Sequence, residues 1–446
     1  MEIQYSKEIR ETVKLAYPVI IGQLGHMMMG VVDSLMVGQI GAAPLAASSI
    51  AHGLFMIFMI FGIGLSMAIS PLTAMAVGAK KYKDCGIVYR QGLLVNITAG
   101  IGLTIAIIFG ADIIRFLNQP EEIIEQGVAY MRILAYSVLP VMIFQTFKQF
   151  SEGLTMMRPA MVITLLANII NIFANWVLIY GNLGMPALYL PGAGWATFST
   201  RLLMAISFVL YVSLSSRYKA FDPTLHYKQI DFTMIKKILK IGIPGGLQYF
   251  FEVGAFVGSA IIIGWLGTNQ LAAHQIGINL ASISFMIALG ISAAATIRVG
   301  NAVGRDDIPG IRSAGISAFL LSACVMGVFG IIFIVFRWFL PTFYIDNSAV
   351  IEIAASLLII AALFQLSDGT QAVGIGLLRG LADAKIPMFI TFIAYWIVGL
   401  PGGYLLGFTF GFGVQGIWFA LFIALTVSAI MLSVRFLIKS KQKVVL

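Results

Sequence analysis

Glu252 sits about ten residues, or roughly 15 Å of helix axis, into an apolar stretch long enough to cross a bilayer (243–266, IPGGLQYFFEVGAFVGSAIIIGWL). No Lys or Arg lies within a turn of it. A carboxylate at that depth costs at least about 2.5–3.5 kcal/mol, so it must face a partner or a wet cavity, or hold a proton. Asp368, in LFQLSDGTQAVG, is a second mid-run acid on a different apolar run. Two acids in one dry site cannot easily both ionise: one keeps its proton, or a cation binds between them. Either outcome makes an ion-coupling device, and Glu252 with Asp368 is a candidate site for a monovalent cation. Gln275 and Asn279, one turn apart on one helix face, either add neutral oxygens there or tie helices together.

The N-terminal half carries its own set. Asp33 lies toward the end of the first apolar run, and LLANIINIFANWVLIYG carries Asn168, Asn171 and Asn175. Asn171 and Asn175 share a face, and Thr197 is a weaker candidate beside them. One carboxylate with amide oxygens suits a proton or a hard monovalent cation; an asparagine ladder joining helices is the alternative. Lys148 and Glu152 are spaced to pair. Arg201 lies inside an apolar run and must snorkel or pair. His26, His52 and His274 read as interhelical hydrogen bonders before ligands. Met27, Met28, Met29, Met56 and Met59 fit core or lipid contact better than a drug pocket. No nucleophile–base pair, metal cluster or phosphate loop stands out, and GIGLLRG lacks the Lys-Ser/Thr ending of a phosphate cradle. An enzyme is not expected.

These residues need membrane-spanning helices to hold them. The chain has 446 residues, 59% hydrophobic and 11% charged, whereas a soluble domain carries about 25% charged residues. Spanning-length runs fall at about 14–37, 45–71, 87–111, 128–150, 160–181, 193–214, 241–264, 272–297, 314–336, 351–376, 386–409 and 414–437. The pattern predicts an all-α membrane protein with twelve transmembrane helices. Its net charge of +9 gathers in alternate gaps, at Lys7, Arg10 and Lys14, at Lys80, Lys81 and Lys83, through 215–240 including Lys228, and at Arg435, Lys439, Lys441 and Lys443. The opposite gaps hold only Arg115 and Arg337, near acids such as Glu121, Glu122 and Asp346. The bias puts both termini in the cytoplasm and argues against nucleic acid as partner. Cys85 and Cys324 are isolated thiols. The polar, charged N-terminus gives no sign of a cleaved signal peptide.

The chain repeats itself. Residues 45–78 align without gaps on 271–304, with twelve of 34 positions identical at an offset of 226; apolar-rich composition alone gives roughly three or four. The offset pairs Pro18 with Pro244, Gly38 with Gly264 and Gly41 with Gly267. An even number of helices per half gives a parallel repeat, and such transporters bind substrate at the repeat interface. The expected organisation is an N-terminal lobe at 1–214, a cytoplasmic linker at 215–240 and a C-terminal lobe at 241–446, each lobe with six helices. The prolines either bend their helices or mark their starts. Departures from the repeat single out the chemistry: Glu252 stands opposite His26, and Asp33 opposite Ser259.

VVDSLMVGQIGAAPLAA, the AVG after the second run, His274–Gln275 and the AVG after the eighth resemble the MATE (multidrug and toxic compound extrusion) transporters, over essentially the whole chain. Glu252 in PGGLQYFFEVG and Asp368 in FQLSDGTQ resemble the carboxylates of the NorM-type branch. The resemblance implies export of cationic, amphiphilic organic compounds in exchange for Na+ or H+, with no cofactor. It implies a monomer in a bacterial cytoplasmic (inner) membrane, with two lobes rocking about a central cleft. Glu252 and Asp368 would form the C-lobe cation site, and Asp33, Asn171 and Asn175 the N-lobe polar site. A tyrosine often found one turn before the second acid is Phe364 here, so a hydroxyl is missing, although an aromatic face still attracts cations. A lipid-linked saccharide exporter of the same superfamily would want a basic cleft instead. An ion channel or an intramembrane enzyme would be a different class altogether.

Overall fold

A computed structural model describes residues 5–117, 119–224 and 230–442. Lys228 and Lys443 fall outside the described residues. Among the described residues there are twelve spanning-length helical segments and no strands. They are α1 (Ser6–Gly38), α2 (Ala42–Gly78), α3 (Tyr82–Leu117), α4 (Glu121–Gly153), α5 (Arg158–Tyr180) and α6 (Tyr189–Leu214). The second six are α7 (Phe232–Gly264), α8 (Thr268–Gly304), α9 (Ile308–Val335), α10 (Ser348–Gly380), α11 (Lys385–Thr409) and α12 (Gly413–Lys439). Helices are the natural outcome for such runs, because lipid offers no partner to a backbone N–H or C=O. Sharp turns separate them: Gly41 at φ 139° and its repeat mate Gly267 at φ 130° occupy backbone space open chiefly to glycine.

Pro18 and Pro244 neither start nor break their helices; each lies inside a continuous segment. As a result α7 begins at Phe232, inside the stretch expected as linker. The linker's first part is docked on α3 and α4: Tyr218 is buried and donates to Ser151 Oγ at 2.9 Å, and Arg90 pairs with Asp222 at 3.0 Å. Burial pushes the Tyr218 phenol up to about 12, which keeps it a neutral donor.

By contacts the chain forms two compact units. One is Ile21–Gly246; the other is Met1–Ile20 together with Leu247–Leu446. The changeover falls inside α1 and α7, after residues 20 and 246, which the offset of 226 makes equivalent. The close packing that permits it is conserved between the repeats. In the first unit Gly64 of α2 lies against Gly245 and Gly246 of α7, and a Cβ on Gly64 would sit 2.6 Å from the Gly246 Cα. In the second, Gly290 of α8, the repeat mate of Gly64, receives Ile20 of α1, whose Cγ1 would be 2.3 Å from an added Cβ. Arg298 of α8 then fastens the start of α1, binding the Glu8 carboxylate, the Glu8 carbonyl at 2.9 Å and Thr12 Oγ1 at 2.5 Å.

Each unit has its own apolar core, around Phe55, Met59, Ile107 and Met131 in the first and around Leu357, Phe364, Tyr395 and Trp418 in the second. Large apolar side chains also point outward, with Phe109 78% and Leu214 77% exposed. Surfaces of that kind fit lipid, not water. Arg115 pairs with Glu125 at 2.6 Å and Asp112 at 3.1 Å. Arg132 joins Asp112 at 2.8 Å.

Candidate cation sites in the two units

In the second unit α7 supplies Glu252, α10 supplies Asp368 and Gln371, and α11 supplies Tyr395. All four are at most 6% exposed. The Tyr395 hydroxyl donates to Gln371 Oε1 at 3.0 Å, and Gln371 Nε2 donates to Glu252 Oε1 at 3.0 Å. A phenol thus sets the amide, and the amide sets the carboxylate. Asp368 makes no hydrogen bond among the described residues, although its charge and that of Glu252 are close enough to act on each other. One turn earlier, both polar atoms of the buried Gln365 lack a partner. Arg379 also acts on Glu252, with its guanidinium 5.7 Å from the Tyr249 ring. Carboxylate, amide and phenol oxygens are hard donors, suited to an alkali cation or a proton and not to softer metals.

The backbone helps to place this chain of bonds. Residues Ile393–Gly399 of α11 are a π-helix. Pro401 follows closely and lacks the N–H that would close the ordinary ladder; such wide turns cluster at functional sites. Trp396 in the same turn donates to the Phe251 carbonyl at 2.9 Å, tying α11 to α7 beside Glu252. Tyr395→Phe removes only the bond that orients Gln371. At about 0.5–1.5 kcal/mol for one hydrogen bond, the affinity of this site for a monovalent cation is expected to fall by about two- to tenfold in direct cation binding to the purified protein, with the folded yield unchanged. An unaltered affinity would show that Gln371 needs no such support.

In the first unit Asp33 is held from two helices. Asn175 Nδ2 of α5 donates to its Oδ1 at 2.6 Å and Thr197 Oγ1 of α6 to its Oδ2 at 3.2 Å. Asn171 joins through Asn175 at 3.2 Å. Asn175 Oδ1 is buried without a partner, an acceptor left for a proton or cation. Four of the five N-terminal candidates therefore meet. Asn168 does not: its amide turns back to the Thr164 carbonyl of its own helix at 2.9 Å.

Other expectations divide in the same way. Gln275 and Asn279 bond each other at 3.2 Å and make no hydrogen bond to either acid. Gln275 lies exposed, so this pair does not complete the C-terminal site. Phe364 stacks on Trp418 at 5.7 Å and is 2% exposed, so its ring is core and offers no open face to a cation. His274 accepts from Trp418 Nε1 at 3.0 Å, an interhelical hydrogen bond. Lys148 and Glu152 lie 3.9 Å apart. Gln371 and Tyr395 were not singled out from the sequence. Gln371 was within reach, three residues past Asp368 on the same helix face; Tyr395 was one aromatic among many.

The MatE family model matches residues 18–177 and 244–405. The chain belongs to the MatE family. The two matched segments begin at Pro18 and Pro244, so this MatE chain carries the family unit twice at its own repeat spacing. It is 36% identical over 440 residues to the probable multidrug resistance protein NorM of Mesorhizobium japonicum, covering 97% of this chain and 94% of that one. To multidrug resistance protein NorM of Aliivibrio fischeri it is 35% identical, covering 97% and 95%. Its fold is that of the eukaryotic MATE transporter AtDTX14, with TM-score 0.88 at 20% identity over 99% and 100% of the two chains. A MOP superfamily transporter from Pyrococcus furiosus matches with TM-score 0.89 at 20% identity over 97% and 96%. The NorM-type resemblance read from the sequence holds. This MatE protein is a multi-pass integral membrane protein and not an enzyme.

Proposed function

We propose that this chain is an antiporter that exports cationic, amphiphilic drugs in exchange for Na+ or H+ by alternating access. The names of its relatives support export of multiple drugs. The observation that supports the ion coupling is Asp368: a buried carboxylate without a hydrogen bond among the described residues, beside a second carboxylate that accepts from the Gln371 amide. A group so costly to bury is retained where an ion or proton completes it. Glu252 and Asp368 take the cation in the C-terminal half, and Asp33 with Asn171, Asn175 and Thr197 forms the second polar site. The protein works as a monomer in the bacterial inner membrane. Both termini are cytoplasmic. The membrane potential adds about 2.3 kcal/mol per inward charge per 100 mV.

Everted vesicles loaded with an ethidium-like dye, under Na+ and pH gradients imposed one at a time, test this reading. Dye movement is expected to follow one or both gradients and to stop when they are collapsed. Movement indifferent to both, or ionic current without dye exchange, would replace the antiporter by a uniporter or a channel.

A further inference from the structure

The repeat carries a feature that neither candidate cation site uses. At the offset of 226, Lys236 and Lys240 of α7 stand where Arg10 and Lys14 stand in α1. The members of each pair are four residues apart, so both project from one helix face, and all four residues are exposed. Each of these duplicated helices thus begins with two cations in line.

The two starts differ in what balances them. In α1, Glu11 pairs with Lys14 at 2.8 Å. In α7, Lys237 takes the place of Glu11. Among the described residues Lys236, Lys237 and Lys240 have no ion pair. The nearest acids along the chain are already engaged: Asp231 accepts from the Met234 N–H at 3.0 Å where the helix starts, and Asp222 pairs with Arg90 at 3.0 Å.

The same face of α7 also shows apolar groups. Phe232, one turn before Lys236, is 76% exposed, and Ile243, just beyond Lys240, is 42% exposed, while Ile238 on the opposite side is buried. Positions 232, 236, 240 and 243 run down one side of the helix. Cations set among exposed apolar residues, where a spanning helix begins, match the border between lipid head groups and acyl chains. There a lysine stem lies along apolar surface and its ammonium reaches out to phosphate. Two ammoniums one turn apart, on Cβ atoms about 5–6 Å from each other, can hold one phosphodiester between them.

We propose that Lys236 and Lys240, with Lys237 beside them, form a binding surface for the phosphate of an anionic phospholipid at the start of α7. The head group supplies the counter-charge that the fold leaves out there. The equivalent place on α1 binds less well, because Glu11 already offsets Lys14.

The test uses the purified full-length protein in an uncharged detergent at fixed ionic strength, titrated with dye-labelled phosphatidylglycerol and, in parallel, with phosphatidylcholine carrying the same dye. Wild type should prefer phosphatidylglycerol. A lysine near an anionic lipid surface is worth about fivefold in affinity, so K236Q/K240Q should weaken phosphatidylglycerol binding by about twenty-fivefold and leave phosphatidylcholine unchanged. K236R/K240R should bind as wild type does, and R10Q/K14Q should lose about fivefold at most. If the double glutamine variant does not fold, K236Q and K240Q, each expected to lose about fivefold, decide in its place. Unchanged affinity in the lysine variants, or an equal loss in R10Q/K14Q, would overturn the site in favour of undirected surface charge. Displacement of phosphatidylglycerol by millimolar inorganic phosphate would overturn it in favour of a soluble anion. No ion gradient enters the measurement, so failure of gradient-driven efflux would be seen separately.

Discussion

Glu252→Gln and Asp368→Asn are each expected to abolish ion-driven efflux of ethidium-like dyes while leaving the protein folded. Both substitutions keep shape and remove charge. A glutamine at 252 still offers an oxygen to Gln371 Nε2, now 3.0 Å from the carboxylate, so the bond from Tyr395 through Gln371 survives. Asp368 has no hydrogen bond to lose among the described residues. Neutralising a buried charge relieves a desolvation penalty of several kcal/mol, so thermal stability should hold or rise. The loss in initial efflux rate should be at least about tenfold for each, since a charged contact is worth about 1.5–3 kcal/mol and each 1.4 kcal/mol is a factor of ten. The double variant should be hardly worse than either single one, because groups that act as a unit fail together. Dye efflux in everted vesicles, beside thermal unfolding of the purified variants, checks all three statements. Full efflux in both single variants would remove these acids from the coupling step.

The second large effect concerns the crossing of α2 and α7. Gly64→Leu is expected to cost about 3 kcal/mol or more, the upper end for overpacking. Even its Cβ would lie 2.6 Å from the Gly246 Cα and 2.8 Å from the Gly245 carbonyl oxygen. Both obstacles are backbone, which cannot rotate aside as a side chain can. The first half of α7 would have to leave the unit formed by Ile21–Gly246. Gly102→Leu on α3 is the control, since nothing lies within 4 Å of a Cβ there. Monodisperse yield and thermal unfolding in detergent should separate the two variants clearly. Equal stability would mean that α2 and α7 do not approach so closely.

What is local along the chain could be read directly from the amino acids. Twelve apolar runs dictate twelve helices, because length and polarity decide whether a segment can cross a bilayer. The match of 45–78 to 271–304 announces the duplication, and Glu252, Asp368 and Asp33 stand out because a lone acid in an apolar run is costly wherever it points. Asn171, Asn175 and Thr197 were legible for a related reason, as polar groups spaced on helix faces that must find partners.

Which partner each residue takes emerged from how the helices pack. Gln371 bonds Glu252 across 119 residues and Asn175 bonds Asp33 across 142. Spacing within one helix cannot foretell such pairs. Asn168 shares the sequence character of Asn171, yet it satisfies its own helix. Phe364 is one turn from Asp368 and is claimed by Trp418. The changeover inside α1 and α7 left no mark beyond paired glycines, because close approach depends on which backbones meet. Helix formation is a property of neighbours in sequence, whereas charge pairing and close packing belong to neighbours in space.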